Sequence, residues 1–112
     1  MYFNNVKIKG VGSYLPKKII TNHNIAENAD TTDEWIYKSL GIKERRSVET
    51  ETVSDLGVEA SLRALDNAGI DKEDLDLIVV ATSSPERISP STACTIHKKL
   101  GIKKEVPSFD IN

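Results

Sequence analysis

A continuous apolar run from Leu77 to Ala81 limits the folds that are open to this chain. With Leu75 and Asp76 before it, the run has the length of one β-strand, and such runs are typical of parallel strands covered on both faces. Two more strands are predicted: 6–11, where apolar and polar residues alternate, and 106–111. Parallel neighbours need long crossover connections, so helices are expected between the strands.

The longest helix is predicted between Thr52 and Gly69. Thr52 and Asp55 have the spacing of an N-terminal capping pair, and Gly69 stands where a left-handed residue ends a helix. Its apolar residues form two adjacent stripes at helical spacing, so much of its surface is expected to be buried. The stripes are Val53, Leu56, Ala60 and Ala64, and Val58, Leu62 and Leu65.

Three shorter helices are predicted from similar signals. The first helix is weak, is capped by Asn22 or Asn24 and ends near Asn28. The second starts with the capping-box pair Thr31 and Glu34 and stops at Gly41. The third starts at Ser89 and Pro90, runs to Leu100 and stops at Gly101. The alternation of strands and helices predicts one α/β unit, a mostly parallel sheet with covering helices.

Composition excludes several classes of function. The net charge of −2 and the isoelectric point near 5.7 argue against a nucleic-acid partner, which usually meets a basic face. One cysteine forms no internal disulfide, and one cysteine with two histidines forms no metal cluster. Residues 1–5 lack the features of a signal peptide, and the apolar run is too short to span a membrane. A soluble, cytoplasmic chain is expected, with no metal and no membrane contact.

The only tryptophan, Trp35, lies in the first turn of a short, highly charged helix. A tryptophan at such a position either stacks on a planar ligand or fills a hydrophobic pocket between helix and sheet. Thr31 nearby is expected to cap the helix or to contact the same ligand. Gly10 and Gly12 lack the third glycine of a dinucleotide-binding loop, because Leu15 occupies that position, so a plain turn is favoured there.

Four stretches in order resemble β-ketoacyl-acyl-carrier-protein synthase III, and a fifth, 109–111, extends the match to nearly the whole chain. They are Gly10–Pro16 with Asn22, Asp30–Ile36 with Gly41–Arg45, Leu77–Ser83, and Pro90–Cys94. The resemblance implies the N-terminal part of a thiolase-like fold, with residues 1–112 as a partial N-terminal half and no second domain. Such enzymes are dimeric and condense an acyl thioester primer with malonyl-acyl-carrier protein to start fatty-acid synthesis.

The resemblance also implies roles for individual residues. Trp35 would stack on the adenine of a coenzyme A thioester, which is a substrate and not a resident cofactor, and Thr31 would help to hold it. The family usually has an arginine, which contacts the coenzyme phosphates, at the position of Ser39, and a threonine at that of Leu40. Serine cannot supply that charge, so either coenzyme A or acyl-carrier protein can be the carrier that delivers the primer.

Ser89 departs from the family as well. A bulky phenylalanine usually occupies its position and closes the acyl pocket of the dimer partner. A serine leaves room there, which predicts primers longer than acetyl. The alternative reading is that Ser89 only caps the following helix.

No catalytic residue is expected within residues 1–112. Cys94 lies inside a predicted helix as a packing residue, and His23 and His97 are expected at the surface. The family's nucleophilic cysteine would follow Asn112 and its histidine and asparagine would come later, so the fragment alone is expected to be inactive. Two alternatives stay open: a specialised acyl-transferring relative of the same fold, or a short non-catalytic binding module, which a stop codon after Asn112 would favour.

Overall fold

The computed structural model describes residues 6–112, which form two compact units. One unit contains residues 6–14 and 52–112, and the other contains Leu15–Glu51. The expected absence of a signal peptide in residues 1–5 lies outside the described residues. In chain order the elements are β1 (Lys18–Thr21), α1 (Asn22–Ala26), α2 (Asp33–Leu40), β2 (Glu44–Ser47), α3 (Val53–Ala68), a 3₁₀ turn (Lys72–Asp74), β3 (Ile78–Ala81), α4 (Thr92–Leu100) and β4 (Ser108–Ile111).

In the first unit, β3 and β4 form the expected parallel pair, joined through α4. Their register runs from Ile78 opposite Ser108 to Ala81 opposite Ile111. The prediction that the β3 strand is covered on both faces is wrong for this chain, because Val79 is 44% exposed while Ile78 and Val80 pack on the core. The buried core consists of Ile96, Leu100, Ile102 and Val106, with Val58, Leu75, Ile78 and Val80 packed against it.

The strand predicted over 6–11 is wrong, because that segment has no strand structure. Instead of pairing with a strand, its backbone bonds to a side chain of α3: the Val11 N–H donates to Asn67 Oδ1 over 3.1 Å. Farther along, Arg63 Nη1 donates to the carbonyl of Ser13 at 2.8 Å. The segment therefore packs along α3, and the glycines make this close approach possible. A Cβ on Gly12 would collide with backbone atoms of Ala60 and Ala64.

The second unit contains an antiparallel pair that the sequence analysis missed. Strands β1 and β2 pair with Lys18 opposite Ser47 and Thr21 opposite Glu44. Both strands have only four residues; β1 carries two adjacent isoleucines and β2 three charged residues, so neither shows an apolar alternation. Strands β1 and β2 and the two helices between them make up this unit, and the second of these helices carries Trp35.

Helix ends agree with the predictions where the signal is a glycine. Gly41, Gly69 and Gly101 all have φ between 65° and 69° and end α2, α3 and α4. The long helix begins as expected, with Thr52 and Asp55 in a reciprocal capping box.

The starts of the other three helices were predicted at the wrong residues. The N-cap of α1 is Thr21, paired with Asn24. The N-cap of α2 is Thr32, not Thr31, and that of α4 is Ser91, not Ser89. The reason is local competition: several adjacent residues can accept the same N–H bond, and spacing alone does not choose between them.

A network of charged side chains covers the first turn of α3. Lys99 of α4 donates to Asp55 Oδ1 and Ser54 Oγ, each at 2.7 Å, and Glu86 accepts from the Ser54 N–H. The hydrogen bond from Lys99, together with those from Thr52, lowers the pKa of Asp55 from 3.8 to about 2. The hydrogen bonds from Ser54 likewise hold the pKa of Glu86 below its ordinary value.

Among the described residues, no helix is both long enough and apolar enough to cross a membrane.

Gly12→Ala is expected to destabilise the protein by about 1–3 kcal/mol, because the new methyl group meets helix backbone that has no room to shift. Gly57→Ala is the matched control. Its Cβ would lie 2.5 Å from Cδ1 of Ile96, the far end of a flexible side chain, and alanine favours the helix by about 1 kcal/mol. Urea unfolding followed by circular dichroism compares the two, and equal losses would contradict the close packing at Gly12.

Asp55→Asn is expected to reduce the acid sensitivity of the fold. Because its pKa is lowered on folding, ionised Asp55 stabilises the protein fully above about pH 4, and this stabilisation is lost as the pH falls from about 4 to about 2. The difference in unfolding free energy between wild type and variant should therefore shrink over that window. Glu59→Gln, which removes an exposed carboxylate from the same helix but no bond of this network, is the matched control. A difference for Asp55→Asn that does not change over this window would contradict the network.

Candidate functional site

Trp35 lies in the first turn of α2 and is 59% exposed. Its backbone N–H donates to the hydroxyl of the N-cap Thr32 at 3.1 Å, which fixes its position at the start of the helix. The helix buries Ile36, the next residue along, which is 4% exposed. Successive positions point about 100° apart on a helix, so burial of Ile36 directs Trp35 outward. The core-filling alternative does not fit this exposure.

A cleft of about 260 Å³ is lined by Asp30, Thr31, Thr32 and the indole of Trp35. Since Thr32 caps the helix, the hydroxyl of Thr31 is left without that role. Oγ1 of Thr31 is buried and has no hydrogen-bond partner among the residues that the structure describes. Buried hydroxyls are almost always paired, so an unpaired one on a residue that lines the cleft together with Trp35 makes Thr31 a candidate ligand contact. The structure thus brings together both residues predicted for the site.

The charge around the cleft is uneven. Asp33 and Glu34 lie in the first turn of α2, and Asp30 lines the cleft itself. Positive charge lies toward the other end of the helix, where Lys38 occupies the last turn. The acidic side chains thus disfavour an anionic group beside the N-terminal end of α2, and Lys38 is the charge on this helix that can attract one.

Ser39 is four residues from Trp35 and lies on the same side of α2. It is exposed and carries no charge. Leu40, the last helical residue, is 61% exposed. Lys43 is already engaged, with Nζ 5.5 Å from the centre of the Tyr37 ring. This leaves Lys38 as the cation on α2 itself.

Asn22 is a residue of this site region whose role the sequence analysis missed. It is the first residue of α1 and only 1% exposed. Its Nδ2 donates to Asp33 Oδ1 at 2.8 Å and to the carbonyl of Ile42 at 2.7 Å, and its Oδ1 accepts from Arg45 Nη2 at 2.9 Å. The signal in the sequence for this role was the pair Thr21 and Asn22 at the start of α1. Because Thr21 is the N-cap, the side chain of Asn22 is free to bond to residues farther along the chain.

The cysteine and histidine residues do not form a reactive pair. Cys94 lies in α4 as predicted, but it is exposed rather than buried, and its Sγ lies 3.4 Å from the carbonyl of Ser108. His97 bonds through Nε2 to the carbonyl of Lys104 at 3.1 Å, and His23 is exposed on α1. Within residues 6–112, no group of three or more histidine, cysteine, aspartate or glutamate side chains is arranged to hold a metal ion.

The first turn of α4 is joined to β4 by a carboxylate. Asp110 accepts from the N–H groups of Thr92 at 2.7 Å and Ala93 at 2.8 Å. Partial burial raises the pKa of this carboxyl, but these hydrogen bonds outweigh it and leave the pKa below its ordinary value. Ser89 lies in the exposed loop before this helix and does not cap it.

Comparison with known proteins relates the chain to one enzyme family. It is 49% identical over 109 residues to β-ketoacyl-acyl-carrier-protein synthase III of Clostridium acetobutylicum, and 52% identical over 106 residues to synthase III 1 of Vibrio vulnificus. These matches cover 97% and 94% of this chain but 33% of each relative. The chain thus spans about a third of the length of the curated relatives it matches. No family model matches the sequence.

Solved structures give the same result for the fold. The crystal structure of 3-oxoacyl-acyl-carrier-protein synthase III from Aquifex aeolicus matches with a TM-score of 0.90 and 45% identity, over 94% of this chain and 34% of that one. The priming β-ketosynthase of the R1128 polyketide pathway matches with a TM-score of 0.88 and 38% identity, over 94% of this chain and 31% of that one. The prediction of an α/β chain with the N-terminal part of a thiolase-like fold is confirmed. Over the third of their length that it spans, the chain is similar to β-ketoacyl-acyl-carrier-protein synthase III enzymes in both sequence and fold.

Proposed function

We propose that this chain is the N-terminal part of a synthase III that condenses an acyl thioester primer with malonyl-acyl-carrier protein, and that Trp35 and Thr31 bind the adenine end of a coenzyme A thioester. The observation that carries the site is the exposed indole beside an unused threonine hydroxyl. An indole face provides a large stacking area at little conformational cost, and a free hydroxyl supplies one directional hydrogen bond to a ring.

The helix that carries Trp35 suits this role. Its N-cap Thr32 and its left-handed Gly41 fix both ends, so the indole is presented from a defined backbone rather than from a loop. The acidic first turn repels phosphate groups. The adenine is therefore placed against Trp35, with the coenzyme phosphates directed toward Lys38.

The charge on α2 bears on which carrier, coenzyme A or acyl-carrier protein, delivers the primer. Ser39 supplies no charge for the coenzyme phosphates, and a single flexible lysine binds them less well than an arginine fork. Coenzyme A is thus held mainly through its adenine, and acyl-carrier protein is a second carrier for the primer. The whole protein acts as a homodimer in the cytoplasm, and its nucleophilic cysteine, histidine and asparagine lie outside residues 1–112.

In the condensation itself, a cysteine thiolate takes the acyl group from the primer thioester, and the thiol of the carrier leaves. Decarboxylation of the malonyl group then releases CO₂ and produces a carbanion equivalent. Its attack on the acyl-enzyme forms the new carbon–carbon bond, breaks the thioester and releases the cysteine thiolate. The described residues contribute the binding of the carrier and no step of bond making. The 112-residue chain alone is accordingly inactive.

A priming ketosynthase of a specialised pathway is the second candidate. It is favoured by the 38% identity to the R1128 priming β-ketosynthase and by the serines at positions 39 and 89. The two candidates share the reaction and differ in the length of the primer. A profile of primer length therefore separates them.

Trp35→Ala is expected to weaken coenzyme A binding by about 5- to 100-fold, because stacking of a base on an aromatic ring contributes about 1–3 kcal/mol. Isothermal titration calorimetry on the protein expressed from its complete reading frame measures this. Pantetheine, which lacks the adenine, should bind wild type and variant equally.

Tyr37→Ala is the matched control for Trp35→Ala, since Tyr37 is also aromatic, lies on the same helix and is 51% exposed. Its affinity for coenzyme A should stay within about twofold of wild type. Equal affinity of wild type and Trp35→Ala for coenzyme A would remove adenine stacking from the proposal. An equal loss for pantetheine would instead indicate a general disturbance of the site.

Ser89→Phe is expected to restrict the enzyme to short primers, because the aromatic ring takes up space that a serine leaves open. The condensation rate with malonyl-acyl-carrier protein should be compared for thioesters of two to eight carbons. Wild type should accept primers longer than acetyl and the variant should lose them first, with the acetyl rate reduced least. Strict acetyl specificity of wild type would reject the role of Ser89, and the absence of any condensation product would reject the proposed function.

A further inference from the structure

Asn22 uses its side chain to connect three segments of the second unit. The Nδ2 group donates to Asp33 of α2 and to the carbonyl of Ile42, just after the helix ends. The Oδ1 atom accepts from the guanidinium of Arg45 in β2. The orientation of the amide is fixed by chemistry, because two acceptors face the NH₂ group and a donor faces the oxygen. A flipped amide would lose all three bonds.

These partners lie at both ends of the helix that carries Trp35. Asp33 is its first residue, and Ile42 directly follows its C-cap Gly41. A helix of eight residues has little stability of its own, so its position depends on contacts outside the helix. Asn22 is 1% exposed, so water does not replace the bonds that it makes. The same side chain therefore fixes where α2 begins and where the chain turns away from it.

We propose that Asn22 is a positioning residue of the coenzyme A site. It touches no ligand. It holds α2 against the start of α1 and against β2, so that Trp35 and Thr31 line the same cleft. This inference rests on the proposed role of Trp35 and Thr31 in binding the adenine.

The change that tests this role is Asn22→Asp, which keeps the size of the side chain. It keeps an acceptor for Arg45 but turns a carboxylate toward the Ile42 carbonyl and toward the Asp33 carboxylate. Two repulsive contacts replace two hydrogen bonds, which shifts α2. We expect affinity for coenzyme A to fall at least fivefold in the protein expressed from its complete reading frame, measured by calorimetry, and KM for the thioester primer to rise with kcat largely retained.

A purely structural role predicts a different result. If the substitution only lowers stability, the apparent dissociation constant rises by the inverse of the folded fraction. For a variant that circular dichroism shows to be about 95% folded, that change is only about 1.05-fold. A fivefold loss in a folded variant therefore reports displacement of the site. His23→Ala, an exposed neighbour on α1, is the matched control and should bind as wild type does.

The double variant Asn22→Asp with Asp33→Asn exchanges donor and acceptor across the same bond. It should recover part of the lost affinity, because the new amide at position 33 can donate to the new carboxylate at position 22. If Asn22→Asp does not fold, Asn22→Ser removes the same bonds without adding charge and is read in the same way. Unchanged affinity for coenzyme A in a folded Asn22 variant would overturn the inference. Unchanged affinity in Trp35→Ala would overturn the proposed adenine site instead, so the two failures are distinct.

Discussion

The free N–H groups at the first turn of each helix are the constraint on which the rest of this structure depends. A helix of any length leaves its first N–H groups without an internal partner, and burying them unpaired is costly. Here Thr21, Thr32, Thr52 and Ser91 each accept one such bond as N-cap. Carboxylates from distant parts of the chain accept further ones. The starts of α3 and α4 are therefore fixed both by a local cap and by a carboxylate from elsewhere in the chain.

Two of these carboxylates determine the arrangement of the first unit. Asp110 connects β4 to the start of α4, and Glu86 connects the loop before α4 to the start of α3. Lys99 then joins α4 to the same end of α3 through Asp55. Negative charge at a helix N-terminus is favoured by the helix dipole, which is consistent with the lowered pKa of each of the three carboxylates. Since the aromatic content is only 5%, polar connections of this kind supplement a core of small aliphatic residues.

The separation along the chain between interacting residues explains how much of the structure could be predicted from the sequence. Interactions within one helix were found: the capping box of Thr52 and Asp55, and the left-handed glycines at 41, 69 and 101. Strand β3 was found from its apolar run, its parallel partner β4 lies within the strand predicted over 106–111, and the resemblance to the family was found from the ordered motifs. The predicted strand at 6–11 failed because the segment lies along α3 through Gly10 and Gly12, while Val6, Ile8 and Val11, whose alternation suggested the strand, are exposed. Bonds across 11 to 32 residues, such as those of Asn22 and Glu86, leave no local pattern.

The candidate site shows how one missed cap changes an interpretation. With Thr31 as N-cap, its hydroxyl would be occupied by the helix, and Trp35 would be the only group left for a ligand. Because Thr32 takes that bond, Thr31 keeps an unused hydroxyl beside the exposed indole. Thr31 and Trp35 both line one cleft, and the buried amide of Asn22 bonds to Asp33 at the start of α2 and to the Ile42 carbonyl just after its end. Because Ser39 adds no charge to this helix, the proposed site depends more on the orientation of the indole than on charge.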